Sequence, residues 1–170
     1  MKLLLSLTSP FARKVRVALI EKGLHSQVDE VIVDPWADDP TLLAANPLLQ
    51  VPALILDDGV ALTNSDSILA WLDRFQPDPP LWPTDAAQRT RAEALAALTQ
   101  GMLEYTVFLV LEKRKPAELH SQVMIARRLA GIERALQAMA ERFDRRTDAF
   151  QQDAIGVACA LAYLDFRQPQ

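Results

Sequence analysis

A single cysteine, Cys159, stands in the whole chain. It has nothing to pair with, so no internal disulfide framework can form, and the expected compartment is a reducing one, the cytoplasm. Histidine is nearly as scarce. His25 and His120 have no metal-ligand spacing to any partner, and no metal is expected. Basic charge is also short: 18 Lys and Arg against 22 Asp and Glu leave a net −4, where a nucleic-acid binder would show a basic surplus. No run of eighteen consecutive apolar residues occurs, so no membrane span is expected. The apolar start Met1–Leu7 is too short for a secretory signal, and Arg13, Lys14 and Arg16 follow it where a small-residue cleavage site would be needed. There is no internal repeat and no low-complexity tract.

What is present is enough apolar material for a real core. Half of the 170 residues are hydrophobic, which suits one domain of moderate size or two small ones. The first half mixes periods. Residues 2–6 read as a strand and 10–22 as a helix, with Val15-Arg16-Val17-Ala18-Leu19-Ile20 as its buried side. Gly23 supplies the left-handed residue that ends such a helix, and Leu24 the hydrophobic contact beyond it. Residues 28–33 read as a second strand, and 37–46 as short helical pieces at best. Residues 51–56 and 60–62 read as a hairpin turning at Asp57-Asp58-Gly59. Asn64, Ser65 and Asp66 suit a helix start, and Ile68, Leu69, Trp71, Leu72 and Phe75 its apolar face.

Four prolines in the eight residues from Gln76 to Pro83 make a stiff connector. The boundary falls there: one domain over 1–76, a linker over 77–84, and a second domain over 85–170. Beyond the linker the period is wholly helical. Leu95, Leu98, Met102, Tyr105 and Leu109 mark one long helix; Ile125, Leu129, Ile132, Leu136, Met139 and Phe143 mark another, with Pro116 between. A third, from about Asp153 through Tyr163, is so apolar that it reads as a buried central helix. Cys159 within it reads as a small core hydrophobe.

The stretch from Ser6 to Arg16 is the one that invites a function. Pro10 suits the first helical position, where a missing N–H costs nothing. Ser9 then falls at the N-cap, its hydroxyl at a helix end that favours negative charge. Such a place can hold an anion or a thiolate; by itself it can equally be a plain capping serine. Thr8 is a rival hydroxyl. Arg13, Lys14 and Arg16 read as a solvated helix face, with at most one drawing an anionic ligand toward the site, and Phe11 and Trp36 as either site walls or packing.

The order β-α-β-(irregular)-β-β-α followed by helices resembles a thioredoxin-like domain joined to an all-helical one. Four segments in register carry a closer likeness. They are Ser-Pro-Phe-Ala-Arg-Lys-Val-Arg (9–16), Asn-Pro-Leu-Leu-Gln-Val-Pro-Ala-Leu (46–54), Leu-Thr-Asn-Ser-Asp-Ser-Ile-Leu-Ala-Trp-Leu (62–72) and Ala-Cys-Ala-Leu-Ala-Tyr-Leu-Asp-Phe-Arg (158–167). Together they are similar to the bacterial cytosolic glutathione S-transferases.

The resemblance implies an α/β plus all-α fold, glutathione as co-substrate and a small hydrophobic electrophile as its acceptor. It also implies a homodimer through the third and fourth helices. Ser9 would donate its hydroxyl to the glutathione sulfur, whose thiol is mostly protonated at neutral pH. Phe11, Gln50, Val51, Pro52, Asn64 and Ser65 would complete the glutathione site. Val51-Pro52 would be a cis turn exposing the Val51 backbone to the cysteinyl unit, and Ser65 would receive the γ-glutamyl end. The electrophile would lie against the helix containing Leu103, Glu104, Tyr105, Val107 and Phe108.

The sequence also departs from that pattern. Asn64 stands where an acidic residue is usual, so a charge-assisted bond to the ligand's ammonium is lost. Gln151 and Ala154 stand at the places of a Ser/Thr-x-x-Asp capping box. The family generally continues past the match to Asp165-Phe166-Arg167 with a further helical segment, which is missing from these 170 residues. Two other readings follow: a non-catalytic binding or scaffold protein, and a glutathione-dependent isomerase or dehalogenase.

Overall fold

The computed structural model describes residues 1–143 and 150–168, so 144–149 and 169–170 of the expected helical half lie outside it. Two compact units are present, Met1–Leu81 and Trp82–Gln170. The first contains β1 (Lys2–Leu5), α1 (Pro10–Glu21), β2 (Asp29–Ile32), α2 (Pro40–Ala45), β3 (Ala53–Ile55), β4 (Ala61–Thr63) and α3 (Ser65–Phe75). The second contains α4 (Ala86–Glu112), α5 (Gln122–Arg142) and α6 (Gln152–Arg167).

The four strands form one mixed sheet in the order β2-β1-β3-β4. β1 is parallel to β2 and antiparallel to β3, which is antiparallel to β4. This is a thioredoxin-like arrangement. Because side chains alternate along a strand, β1 is buried through both of its faces. Leu4 clusters with Val33, Leu42 and Ala53, which brings α2 onto that side. Leu3, Leu5 and Leu54 on the other pleat are equally buried. That leaves α1 and α3, which pack on each other, for the second face.

Local chemistry sets the ends of α1. Ser9 caps it and Pro10 opens it. At the other end Gly23 takes φ +67°, with Gly23 N–H donating to the Ile20 carbonyl at 2.9 Å and Leu24 N–H to the Leu19 carbonyl at 2.8 Å. That pair of bonds is the Schellman ending. The buried stripe of α1 is Pro10, Ala12, Lys14, Val15, Ala18 and Leu19. Ile20, expected inside, is 58% exposed, because a helix turns about 100° per residue and a continuous run cannot share one face. On α3, likewise, Ile68, Leu69 and Leu72 are buried, while Trp71 and Phe75 stack on each other outside the core.

The proline-rich stretch is fastened to the first unit. Lys22, fully buried, donates to Asp73 Oδ1 (2.7 Å) and to the carbonyls of Gln76 (2.6 Å) and Pro79 (2.7 Å). Asp73 Oδ1 in turn accepts from Leu81 N–H. The Asp78–Pro79 bond is cis.

In the second unit the helix that both neighbours pack on is α4, not α6 as its composition suggested. A stretch of α4 is apolar enough by length and composition to cross a bilayer; packing against α5 and α6 accounts for that character. Gly156 lets α6 approach so closely that an added Cβ would strike Thr99 of α4. The outer side of α6 leaves Leu161 and Phe166 exposed. Its first turn has no side-chain cap from Gln151, as the missing capping box implied. Between α4 and α5, Glu112 Oε2 accepts from Lys115 Nζ (2.6 Å) and Oε1 from Ser121 N–H (2.8 Å). These two bonds, the Lys115 one first, hold its carboxyl below the usual range against the opposing effect of burial.

Candidate functional site

Strand register gathers the predicted site residues of the first unit at one end of the sheet. Leu4 faces Ala53 across β1 and β3, and Ala53 faces Thr63 across β3 and β4. The exit of β1, the entry of β3 and the exit of β4 therefore lie side by side. Ser6–Ser9 follow the first, Gln50–Pro52 precede the second, and Asn64–Ser65 follow the third. Helices α1 and α3 both begin here, so two helix N-termini, each favouring negative charge, meet at one end of the sheet.

Ser9 is half-buried, and its Oγ accepts from Ala12 N–H at 3.2 Å. A hydroxyl that accepts in this way keeps its own proton to donate. Thr8, the rival, is exposed and shares its hydroxyl with Ser6 Oγ at 3.2 Å. Phe11 sits half-buried in the first turn of α1, and Trp36 is 64% exposed after β2.

The approach to β3 is shaped by Asn46, whose role was not evident from sequence. Its Nδ2 donates to the Gln50 carbonyl (2.8 Å), and its Oδ1 accepts from Leu48 N–H (3.1 Å). Leu49 adopts φ +53° within that loop. Gln50 keeps an exposed side chain, and Val51 packs its side chain on the Leu4–Leu42 cluster. The Val51–Pro52 bond is cis. Val51 precedes the last β3–β4 pair, Ala53 with Thr63, so its backbone lies beyond the end of that ladder.

Asn64 caps α3 with φ +68°, a conformation that Asn tolerates better than most residues. Its Oδ1 accepts from Asp66 N–H (2.9 Å) and Ser67 N–H (3.4 Å). With the carbonyl side committed, the amide nitrogen is left as a donor. Ser65, the first helical residue, is 2% exposed, and its Oγ is buried without a hydrogen-bond partner among the described residues. A buried unpaired hydroxyl costs about 1–3 kcal/mol, and at a helix N-terminus it suits a bound anion.

One sequence expectation is overturned beneath these groups. Arg13 is exposed, and Arg16 pairs at the surface with Glu30 (2.8 Å). Lys14, expected on the same solvated face, is 1% exposed and its ammonium meets Asp66 in the first turn of α3. The signal was its spacing: Lys14 stands four residues from Pro10 and four from Ala18, both on the buried stripe. In the second unit, Leu103, Glu104, Tyr105, Val107 and Phe108, on the helix expected to face the electrophile, differ in exposure. Leu103 is fully buried, Glu104 is exposed and the other three are half-buried, as successive helical positions must be. Among the described residues no group of three or more His, Cys, Asp or Glu comes together for a metal.

Comparison with known proteins gives the site a context. Residues 8–74 match the family model of the glutathione S-transferase N-terminal domain. The GST-like protein YibF of Escherichia coli (strain K12) is 30% identical over 172 residues, covering 99% of this chain and 84% of its own length. A crystal structure of a glutathione transferase family member from Pseudomonas fluorescens Pf-5 with bound glutathione superposes with a TM-score of 0.92. It is 37% identical and covers 99% of this chain and 84% of that one. The maleylacetoacetate isomerase of Pseudomonas aeruginosa is 37% identical over 101 residues, 58% of this chain and 48% of its own length.

Proposed function

The chain belongs to the glutathione S-transferase family, and from that premise we propose that it binds glutathione where α1 and α3 begin and adds its thiolate to a small apolar electrophile. The observation that carries the reading is the pairing of two serine hydroxyls at two adjoining helix starts. One, Ser9, has a proton to donate; the other, Ser65, is buried without a partner. Glutathione in the Pseudomonas fluorescens relative supports the same ligand here.

Each residue then has a task. The γ-glutamyl carboxylate takes the Ser65 hydroxyl and the Ser65 N–H, the first-turn donor that the Asn64 cap leaves over, with the Asn64 amide as a further donor. The cysteinyl unit pairs with the free-standing backbone of Val51, in the manner of an added strand. That directs the sulfur toward Ser9. The thiol gives its proton to water, and the Ser9 hydroxyl donates to the sulfur that remains, with the α1 N-terminus adding positive potential. Favouring the thiolate by two pKa units requires about 2.7 kcal/mol, within reach of a charge-assisted hydrogen bond and a helix end. The thiolate then forms a carbon–sulfur bond as the electrophile loses its leaving group, or gains a proton where it is a conjugated alkene.

The match to the isomerase favours a second reading. Under it the same thiolate adds reversibly to a double bond and leaves again, returning glutathione unchanged. Titration calorimetry of the chain with glutathione, followed by assays that measure glutathione consumption alongside electrophile loss, tests both. Saturable binding with one glutathione consumed per electrophile supports conjugation. Turnover without consumption supports isomerisation, and no binding by the folded chain removes both in favour of a non-catalytic role.

A further inference from the structure

The helical unit carries a cation that neither the fold nor the reading above uses. Arg128 of α5 lies with its guanidinium carbon 4.2 Å from the Tyr105 ring centroid and 5.1 Å from that of Phe108, both on α4. The residue is half-buried, and its Nε is buried without a hydrogen-bond partner among the described residues. No carboxylate among the described residues pairs with it. Partly buried arginines are ordinarily satisfied by acids or carbonyls. Here the two aromatic rings stand against the guanidinium in place of an acid.

The position of the Tyr105 ring depends on a glycine. Gly131, one turn along α5 from Arg128, stands in the middle of a 21-residue helix, where glycine costs about 1 kcal/mol relative to alanine. A Cβ there would come within 2.5 Å of Tyr105 Cε2. The glycine therefore lets the Cδ2–Cε2 edge of the Tyr105 ring come close against α5, with the Arg128 guanidinium over that ring. Cation–π contact holds the guanidinium in place, and a guanidinium so held can receive a carboxylate through two parallel hydrogen bonds at its terminal nitrogens.

We propose that Arg128, held by Tyr105 and Phe108, is a binding site for the carboxylate of a small organic acid. The half-buried rims of the two rings favour an acid with an apolar body over a fully hydrophilic one. The site lies wholly within the helical unit and does not depend on where glutathione binds.

The test uses the whole chain and sodium benzoate as probe, with benzamide as its uncharged counterpart, titrated by calorimetry. Wild type should bind benzoate saturably and benzamide not measurably. Arg128→Met should weaken benzoate at least tenfold, and Arg128→Lys, which keeps the charge but loses the planar fork, should weaken it in part. Gly131→Ala, which displaces the Tyr105 ring, should weaken it too. Should Arg128→Met fold poorly, the Arg128→Lys and Gly131→Ala variants decide. Benzoate that binds equally well to the Arg128 variants, or no saturable binding by wild type, would overturn the proposal. Glutathione titrated into the same variants should keep its wild-type affinity, so the two sites fail independently.

Discussion

Ser9 and Ser121 do the same local work and have different prospects. Each is an N-cap whose hydroxyl accepts from the N–H three residues on, at 3.2 Å for Ser9 and 3.4 Å for Ser121. Ser121 opens α5 after a turn, and its own N–H is held by Glu112. Ser9 opens α1 at a sheet end, beside Val51–Pro52 and a second helix start at Ser65. Capping chemistry is therefore common to both units, and strand register supplies the difference. Antiparallel pairing of β1, β3 and β4 gathers two helix N-termini and an unpaired strand entry, whereas the helical unit disperses its caps along its turns.

The widest gap between the two serines should appear in catalysis. Ser9→Ala should lower kcat/KM with glutathione roughly a hundredfold, the equivalent of losing two pKa units of thiolate stabilisation, with glutathione binding nearly retained. Ser121→Ala should leave turnover alone. Both lose a cap worth about 1 kcal/mol, so unfolding midpoints of the two variants should fall together while their activities part. Ser9→Gly, which disturbs the cap by only a few tenths of a kcal/mol, separates the two effects. Equal turnover in the Ser9→Ala and Ser121→Ala proteins would abolish the distinction.

Lys14→Met comes next in size. Its ammonium is buried, but Asp66 keeps a 41% exposed side chain, so removing the cation does not strand a charge in the interior. The loss should fall between the roughly 1 kcal/mol of an exposed pair and the roughly 3 kcal/mol of a buried one. Because the ion pair ties α1 to the first turn of α3, glutathione affinity should weaken along with the denaturant midpoint. An unchanged midpoint with weakened affinity would place Lys14 in direct contact with ligand instead.

What the sequence disclosed and what it hid divide along the same line. Ser9, Pro10, Gly23 and the Asp57–Gly59 turn were legible because caps and turns are fixed by residues within a few positions of one another. The Asn46 bonds to residues 48 and 50 are equally local, yet an Asn-Pro pair does not by itself disclose which backbone groups its amide will hold. Lys14 and Asp66 lie 52 residues apart, and only the register of the sheet joins them. The exposure of Ile20 follows from helical periodicity within its apolar run, whereas α4 taking the central place expected of α6 reflects tertiary packing that composition does not order. The Arg128 platform likewise depends on Gly131 and Tyr105, on two different helices.

In the helical unit the comparison sharpens through pH. The folded-state pKa of Glu112 is lowered by the Lys115 hydrogen bond and the Ser121 N–H. Its contribution is therefore fully present above the ordinary carboxylate value near 4.5 and is lost as pH falls through the lower folded value. Glu112→Gln keeps the acceptor for Ser121 but loses the charge. Its thermal midpoint should lie below wild type at neutral pH, and the gap should close as acid protonates the native carboxyl. A gap that persists unchanged in strong acid would mean that packing, not charge, holds this turn.

The smallest effect tests whether the sheet-end site still has a vacancy in its chemistry. Asn64 commits Oδ1 to the caps of Asp66 and Ser67, so toward a ligand it offers an amide donor and no acceptor for an ammonium. Asn64→Glu supplies a carboxylate there, and a charge-assisted bond is about twice as strong as a neutral one. The longer side chain gives up the short Asn cap, and its residue must still adopt φ +68°, a conformation glutamate tolerates less well. Those costs fall on the folded protein with or without ligand, whereas the new bond exists only in the complex. Glutathione should therefore bind a fewfold tighter even as the unfolding midpoint drops slightly, and S-methylglutathione, which keeps the ammonium, should gain equally. A gain that vanishes when the γ-glutamyl amine is acetylated would place the ammonium beside residue 64; a gain that survives acetylation would move the γ-glutamyl end elsewhere.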